Sequence, residues 1–209
     1  ADARPSRPAA LATDLKPHQE AGLEWLQRAW LGGAGGVLLA DDMGLGKTIQ
    51  ALAFLAWLKQ LRGRAPTLVV APTGLLVNWE EEHGKHLLAP GLGRLCKAYG
   101  PDLGRLRQGR GTDIERGAAG LSSTEIARAD WVLTTYETLR DYHHSFAAIP
   151  FAAVVFDEMQ KLKNPAALVT RGAQTSNADF VLGLTGTPVE NRLEDLWSIF
   201  DIVEPGRLG

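Results

Sequence analysis

Asp41-Asp42-Met43-Gly44-Leu45-Gly46-Lys47-Thr48 decides the reading of this chain. The stretch stands between an apolar run, Val37 to Ala40, and a long helix-forming segment that starts at Thr48. Strand, glycine-bearing turn and helix in that order make a phosphate-binding loop. Gly44 and Gly46 let backbone N–H groups turn inward on phosphate oxygens. The helix that follows points its positive end at the same anion. Lys47 neutralises the outer phosphates, and Thr48 offers a hydroxyl to Mg2+. The general pattern asks for Gly six places before the Lys, where this chain has Asp41. The plain alternative is a Gly-rich turn with a coincidental Lys-Thr.

Outward from the loop, short apolar runs alternate with helix-length segments. The strand candidates are residues 37–40, 67–71, 95–99, 131–135, 153–156 and 180–184. Several are apolar without alternation, as strands covered on both faces are. Between them lie helix-length segments at 48–61, 75–86, within 102–128 and at 166–175, and a last helix starts near Pro188. That helix is expected to bury Val189, Leu193, Leu196, Trp197 and Phe200. Upstream of the loop, Pro17 suits a first helical turn. Gly22, Trp25, Leu26, Ala29 and Trp30 then mark one helix face, and the glycines from Gly32 to Gly36 end it. Residues 1–13 read as a flexible lead-in and residues 14–209 as one domain. The pattern predicts an α/β fold with a mostly parallel central sheet and helices on both faces.

Two further signals fall at strand ends. Val154-Val155-Phe156-Asp157-Glu158 is an apolar strand that ends in two carboxylates. In parallel sheets ligands gather at the carboxyl ends of the strands. Asp157 is placed to hold Mg2+, and Glu158 to orient and deprotonate an attacking water. A helix N-cap is the simpler alternative for the pair. Leu184-Thr185-Gly186-Thr187-Pro188 ends a strand in two hydroxyls that can sense a γ-phosphate or, read without context, merely cap a helix.

Composition sets the outer limits. Of 209 residues, 45% are hydrophobic and 22% charged, which excludes a wholly disordered chain. No stretch approaches the roughly 20 apolar residues of a spanning helix, and residues 1–10 lack the apolar core of a secretory signal. The single cysteine, Cys96, allows neither an internal disulfide nor a thiolate zinc site, so a reducing compartment is expected. A net charge of −2 means that any nucleic-acid contact is local.

The order of these signals carries a resemblance. Leu15-Lys16-Pro17-His18-Gln19, the loop at 41–48, Pro72 to Trp79, Thr134-Thr135-Tyr136-Glu137, Asp157 to Asn164, and Leu184 to Asn191 follow one another. The series resembles the first RecA-like lobe of the Swi/Snf family of helicase-like DNA translocases, from about Asp14 to Gly209. The Met-Gly-Leu-Gly-Lys-Thr loop and the Thr-Gly-Thr-Pro-x-x-Asn run favour this family over RNA helicases. The resemblance implies a RecA-like P-loop lobe that binds ATP and Mg2+. It further implies that Gln19 reads the adenine edge, and that Asp42, Met43, Gly44, Leu45, Gly46, Lys47 and Thr48 hold the phosphates. Thr48 and Asp157 serve the metal, and Lys47, Glu158 and Gln160 serve hydrolysis. Thr185, Gly186 and Thr187 couple ATP state to movement. Asn78, Trp79, Thr134 and Thr135 line the path of double-stranded DNA, with Lys161 and Lys163 as further contacts. In the family a second RecA-like lobe supplies an arginine to the transition state. The alternating pattern is not repeated after Pro188, so that lobe is expected to lie outside this chain.

There are departures from the family pattern. Asp42 stands where Glu is common, Gly74 where many members have Ser, and Gln160 where better-known helicases have His. Met159-Gln160 suits bacterial relatives, which points to a nucleoid rather than a nuclear location. Two other readings compete: an RNA helicase-type ATPase lobe, and a non-hydrolysing nucleotide-binding interaction module. The remaining features read plainly. His143-His144 is a loop pair rather than a metal site, and Arg105, Arg107 and Arg110 form a solvated surface. Trp25, Trp30, Trp57 and Trp197 are core positions on helices, and Cys96 is a small buried apolar residue.

Overall fold

A computed structural model describes residues 3–42, 44–63, 65–108, 120–159 and 177–186. The expectations for Met43, Arg110, Gln160, Lys161, Lys163 and Thr187 lie outside those residues, as do those for the helices at 166–175 and after Pro188.

Each of the six short apolar runs singled out as strand candidates forms a strand. They are β1 (Gly36–Leu39), β2 (Thr67–Val70), β3 (Leu95–Ala98), β4 (Trp131–Thr134), β5 (Ala153–Phe156) and β6 (Val181–Leu184). Among the described residues they build one sheet in the order β1-β6-β5-β2-β4-β3. All neighbours pair parallel. β2, β4 and β5 are buried at every position, which is why their sequences lack polar alternation. The period-two pleat still divides their side chains between two cores. Val69, Leu133, Val155 and Leu182 face one core, whereas Leu68, Val70, Val132, Val154 and Phe156 face the other.

The first core is covered by α1 (Pro17–Leu31), α2 (Lys47–Arg62) and α3 (Thr73–His86). α2 is buried without interruption from Ile49 to Leu58. A helix apolar on all sides belongs in the interior, and α2 accordingly packs beside both α1 and α3. The second core is covered by shorter pieces: α4 (Leu103–Leu106), α5 (Ser123–Ala127), α6 (Tyr136–Asp141) and α7 (His143–Ala147). Ser122 caps α5 and Thr135 caps α6, each hydroxyl accepting the N–H three residues on.

Several expectations need correction here. The lead-in does not trail free. Leu11 is buried, and Ala12 N–H and Leu88 N–H bond across to His86 and Ala10 carbonyls at 2.9 and 2.7 Å. The buried Gln27 amide exchanges two hydrogen bonds with the Ser6 backbone, at 3.0 and 2.7 Å. The covered face of α1 is Gln19, Leu23, Leu26 and Gln27. Trp25, expected in the core, is consequently 45% exposed. Trp30 packs edge-on against Trp57 as a partly buried residue. His143 and His144 open α7 rather than lying in a loop, and no metal-ligating cluster exists among the described residues. Cys96 is half-buried, and burial pushes its thiol pKa up. No helix among the described residues is long and apolar enough to cross a membrane.

Candidate functional site

Register brings the chemistry to one edge. Leu39 pairs with Leu184, and Phe156 with Gly183, so β1, β6 and β5 end together. The loop at 41–46, Thr185 and Asp157-Glu158 therefore leave the sheet side by side. Thr185 N–H extends the ladder to the Leu39 carbonyl at 3.2 Å, and its side chain is fully buried.

The loop takes its shape from glycine. Gly44 and Gly46 have φ of 84° and 80°, a region that costs L-residues energy and glycine almost none. A Cβ on Gly46 would strike the Gln19 amide and Ile49, whereas the same position on Gly44 faces open space. Lys47 opens α2, and its ammonium donates to the Asp41 and Asp42 carbonyls at 2.7 and 2.9 Å. An ammonium carries three donors, so two brace the loop and one is left for an anion.

Gln19 sits beneath this loop, mostly buried. Its Nε2 donates to the Leu45 carbonyl at 3.2 Å, and its Oε1 accepts the Lys16 N–H at 3.0 Å. His18 reaches the same Leu45 oxygen at 3.1 Å. From α2, the buried Gln50 amide donates to the Gly46 carbonyl at 3.3 Å. Gln50 escaped notice in the sequence because nothing marks a helical Gln as a loop brace.

Asp157 is 8% exposed and follows β5 directly. Its Oδ2 accepts the Trp79 indole N–H at 2.9 Å, and its Oδ1 accepts the Glu158 N–H at 2.9 Å. The Tyr136 hydroxyl donates to the Asp157 carbonyl at 2.6 Å. Burial raises the Asp157 pKa; the Trp79 and Glu158 hydrogen bonds and the Lys47 charge pull it down, while the Glu158 charge adds to the rise. The folded chain thus holds this proton to higher pH than the unfolded chain. Folding stability falls as pH rises from the usual Asp range through the raised value. A cation facing the carboxylate would offset that cost. Glu158 has φ of 54°, the one positive value outside glycine among the described residues. Such strain costs about 1–3 kcal/mol and collects at functional sites.

Three of the residues expected along a DNA path are elsewhere. Trp79 is fully buried, with its indole on Asp157. Thr134 is fully buried and its hydroxyl donates to the Ala98 carbonyl at 2.8 Å. Thr135 is buried as the cap of α6. Each satisfies its polar atoms internally, so none presents them to a phosphate. Asn78 remains exposed on α3, beside exposed Thr73 and Gly74. Arg105 and Arg107 are exposed as expected, Arg105 lying 3.5 Å from Asp102.

Comparison with known proteins agrees with this geometry. The SNF2-related domain matches residues 18–209. The chain is 43% identical over 205 residues to the Zorya protein ZorD of Escherichia coli, covering 93% of this chain and 19% of that protein. It is 36% identical over 197 residues to the putative ATP-dependent helicase/translocase YwqA of Bacillus subtilis, again covering 93% and 19%. The chain thus spans about a fifth of the length of these relatives. Among solved structures, the Sulfolobus solfataricus SWI2/SNF2 ATPase core in complex with dsDNA superposes with a TM-score of 0.78 at 31% identity. That match covers 98% of this chain and 38% of the other. The chain belongs to the SNF2-related family, and its fold is that of a RecA-like lobe of the SWI2/SNF2 ATPase core.

Proposed function

We propose that this member of the SNF2-related family is the first ATP-binding lobe of a double-stranded-DNA-dependent ATPase and translocase. The observation that carries the reading is the meeting of the glycine loop after β1 with Asp157-Glu158 after β5, close enough for the Lys47 charge to act on Asp157. The donor set fits Mg-ATP. Backbone N–H groups and the Lys47 ammonium suit phosphate oxygens. The Thr48 hydroxyl and the Asp157 carboxylate are the hard oxygen ligands that Mg2+ prefers. A bound Mg2+ would supply charge neutralisation at the β- and γ-phosphates.

The chain's own residues divide the remaining work. Gln19 reads adenine with its spare capacity, since each end of an amide can make a second hydrogen bond. Glu158 accepts a proton from the attacking water as the γ-phosphoryl leaves. Thr185, Gly186 and Thr187 pass the state of the γ-phosphate to the rest of the motor, and Gln160 joins this network as donor and acceptor. A second lobe in the longer protein supplies the arginine that stabilises the transition state. The intact Lys47, Thr48, Asp157 and Glu158 set favour this reading over a non-hydrolysing scaffold. The family motifs favour duplex DNA over RNA, with the nucleoid or nucleus as the place of action.

DNA binding by this lobe is expected to be weak. The chain carries a net charge of −2, so attraction comes from a few groups, the exposed Asn78 together with the cations Lys161 and Lys163. With roughly two phosphates neutralised, log affinity should fall against log salt with a slope of about −2. Fluorescence anisotropy with labelled duplex measures it. Tight binding insensitive to salt would contradict the assignment, as would preferential stimulation of the two-lobed ATPase by RNA.

A further inference from the structure

Trp79 makes an unusual choice of partner. A buried indole N–H needs an acceptor, and backbone carbonyls usually serve. Trp57 and Trp131 follow that pattern, donating to the Arg4 and Gly93 carbonyls, each at 3.3 Å. Trp79 instead donates to a carboxylate at a shorter 2.9 Å. Bonds to a charged acceptor are shorter and stronger.

We propose that Trp79 is a positioning residue for the metal-facing carboxylate, the element by which α3 sets the orientation of Asp157 toward Mg2+. The inference rests on the reading of Asp157 as a metal ligand. The geometry leaves the carboxylate little freedom. Each oxygen takes one N–H, Oδ2 from Trp79 and Oδ1 from the Glu158 backbone. Each therefore keeps lone-pair capacity for a cation. The Tyr136 hydroxyl fixes the carbonyl of the same residue from α6. Asp157 is thus held from two helices besides its own strand. One of them, α3, presents Asn78 outward at the adjoining position. A carboxylate without the indole donor would lose the bond that fixes its plane. Partners of this kind tune metal affinity by about 10- to 100-fold.

The test is ATP binding to the chain by calorimetry, first with chelator and then along a Mg2+ series. Trp79→Phe keeps the aromatic volume and removes the donor. Its affinity for ATP in chelator should match wild type, because Lys47 and the loop are untouched. The Mg2+ concentration giving half of the metal-dependent gain should rise about 10- to 100-fold. Added to Asp157→Asn, the substitution should change nothing further, since the two act as a unit. A role in packing alone would not produce this split between metal-free and metal-dependent binding. Should Phe unfold the chain, benzothienylalanine at position 79, with sulfur in place of the N–H, removes only the donor. A wild-type Mg2+ midpoint in a folded, donor-less variant, together with a lost Mg2+ dependence in Asp157→Asn, overturns the role of Trp79. An unchanged midpoint in both overturns the metal reading beneath it.

Discussion

Replacing Lys47 by alanine is expected to weaken ATP binding by about 10- to 100-fold, the worth of a charged hydrogen bond to a phosphate. Two losses combine. The phosphates lose the one side-chain cation at the head of α2. The loop loses the bonds by which the ammonium holds the Asp41 and Asp42 carbonyls at 2.7 and 2.9 Å. Gly44 and Gly46 keep their left-handed backbone, and the helix N-terminus keeps its partial charge, so some affinity should survive. Lys47→Arg should not rescue it fully, because a planar guanidinium does not replace a compact ammonium between two carbonyls. Calorimetry with ATP and Mg2+ measures the loss. Unchanged affinity in Lys47→Ala would remove the phosphate loop from the account.

Glu158→Gln should leave ATP binding intact and lower turnover of the two-lobed protein by roughly 10²- to 10⁴-fold, the usual worth of a general base. Gln has the size to orient the water but cannot take its proton. Position 158 sits at φ of 54°, and Gln meets the same cost there as Glu, so the substitution adds no strain of its own. The Glu158 N–H to Asp157 bond is a backbone contact and survives. Wild-type turnover in the variant would show that another group is the base.

The sheet was legible because burial on both faces leaves a direct mark. Strands such as Thr67–Val70 and Ala153–Phe156 are runs of apolar residues between turn residues, and all six strands form within a residue or so of their expected bounds. The loop was legible despite Asp41, since Gly44, Gly46 and Lys47 each meet a separate physical demand. Strand order was not legible, because it depends on which crossovers the helices permit. Trp79, Thr134 and Thr135 show where motif reading failed. Membership in a segment does not say which side of the backbone a side chain takes. These three turn inward, Trp79 to Asp157, Thr134 to the Ala98 carbonyl and Thr135 to the first turn of α6, while Asn78 beside Trp79 turns outward. Trp25 failed for a related reason. Helical spacing marks a face only to within a residue, and the covered face of α1 runs through Gln19, Leu23, Leu26 and Gln27. The strained φ of Glu158 has no sequence signature, since Glu is not a residue that favours it.

On the proposed function, this lobe holds Mg-ATP but does not complete the reaction by itself. As the γ-phosphoryl separates, charge moves onto the leaving oxygen. Arg105 and Arg107 lie exposed on and just after the short α4, without a rigid frame to aim a guanidinium there. The most direct measurement is steady-state phosphate release by residues 1–209 with saturating duplex DNA, beside the same lobe joined to its second lobe. The chain alone should run about 10³- to 10⁵-fold slower, the effect of a missing arginine in phosphoryl transfer. Comparable rates per site would mean that this lobe carries its own arginine or completes its site with a second copy, and would contradict the account.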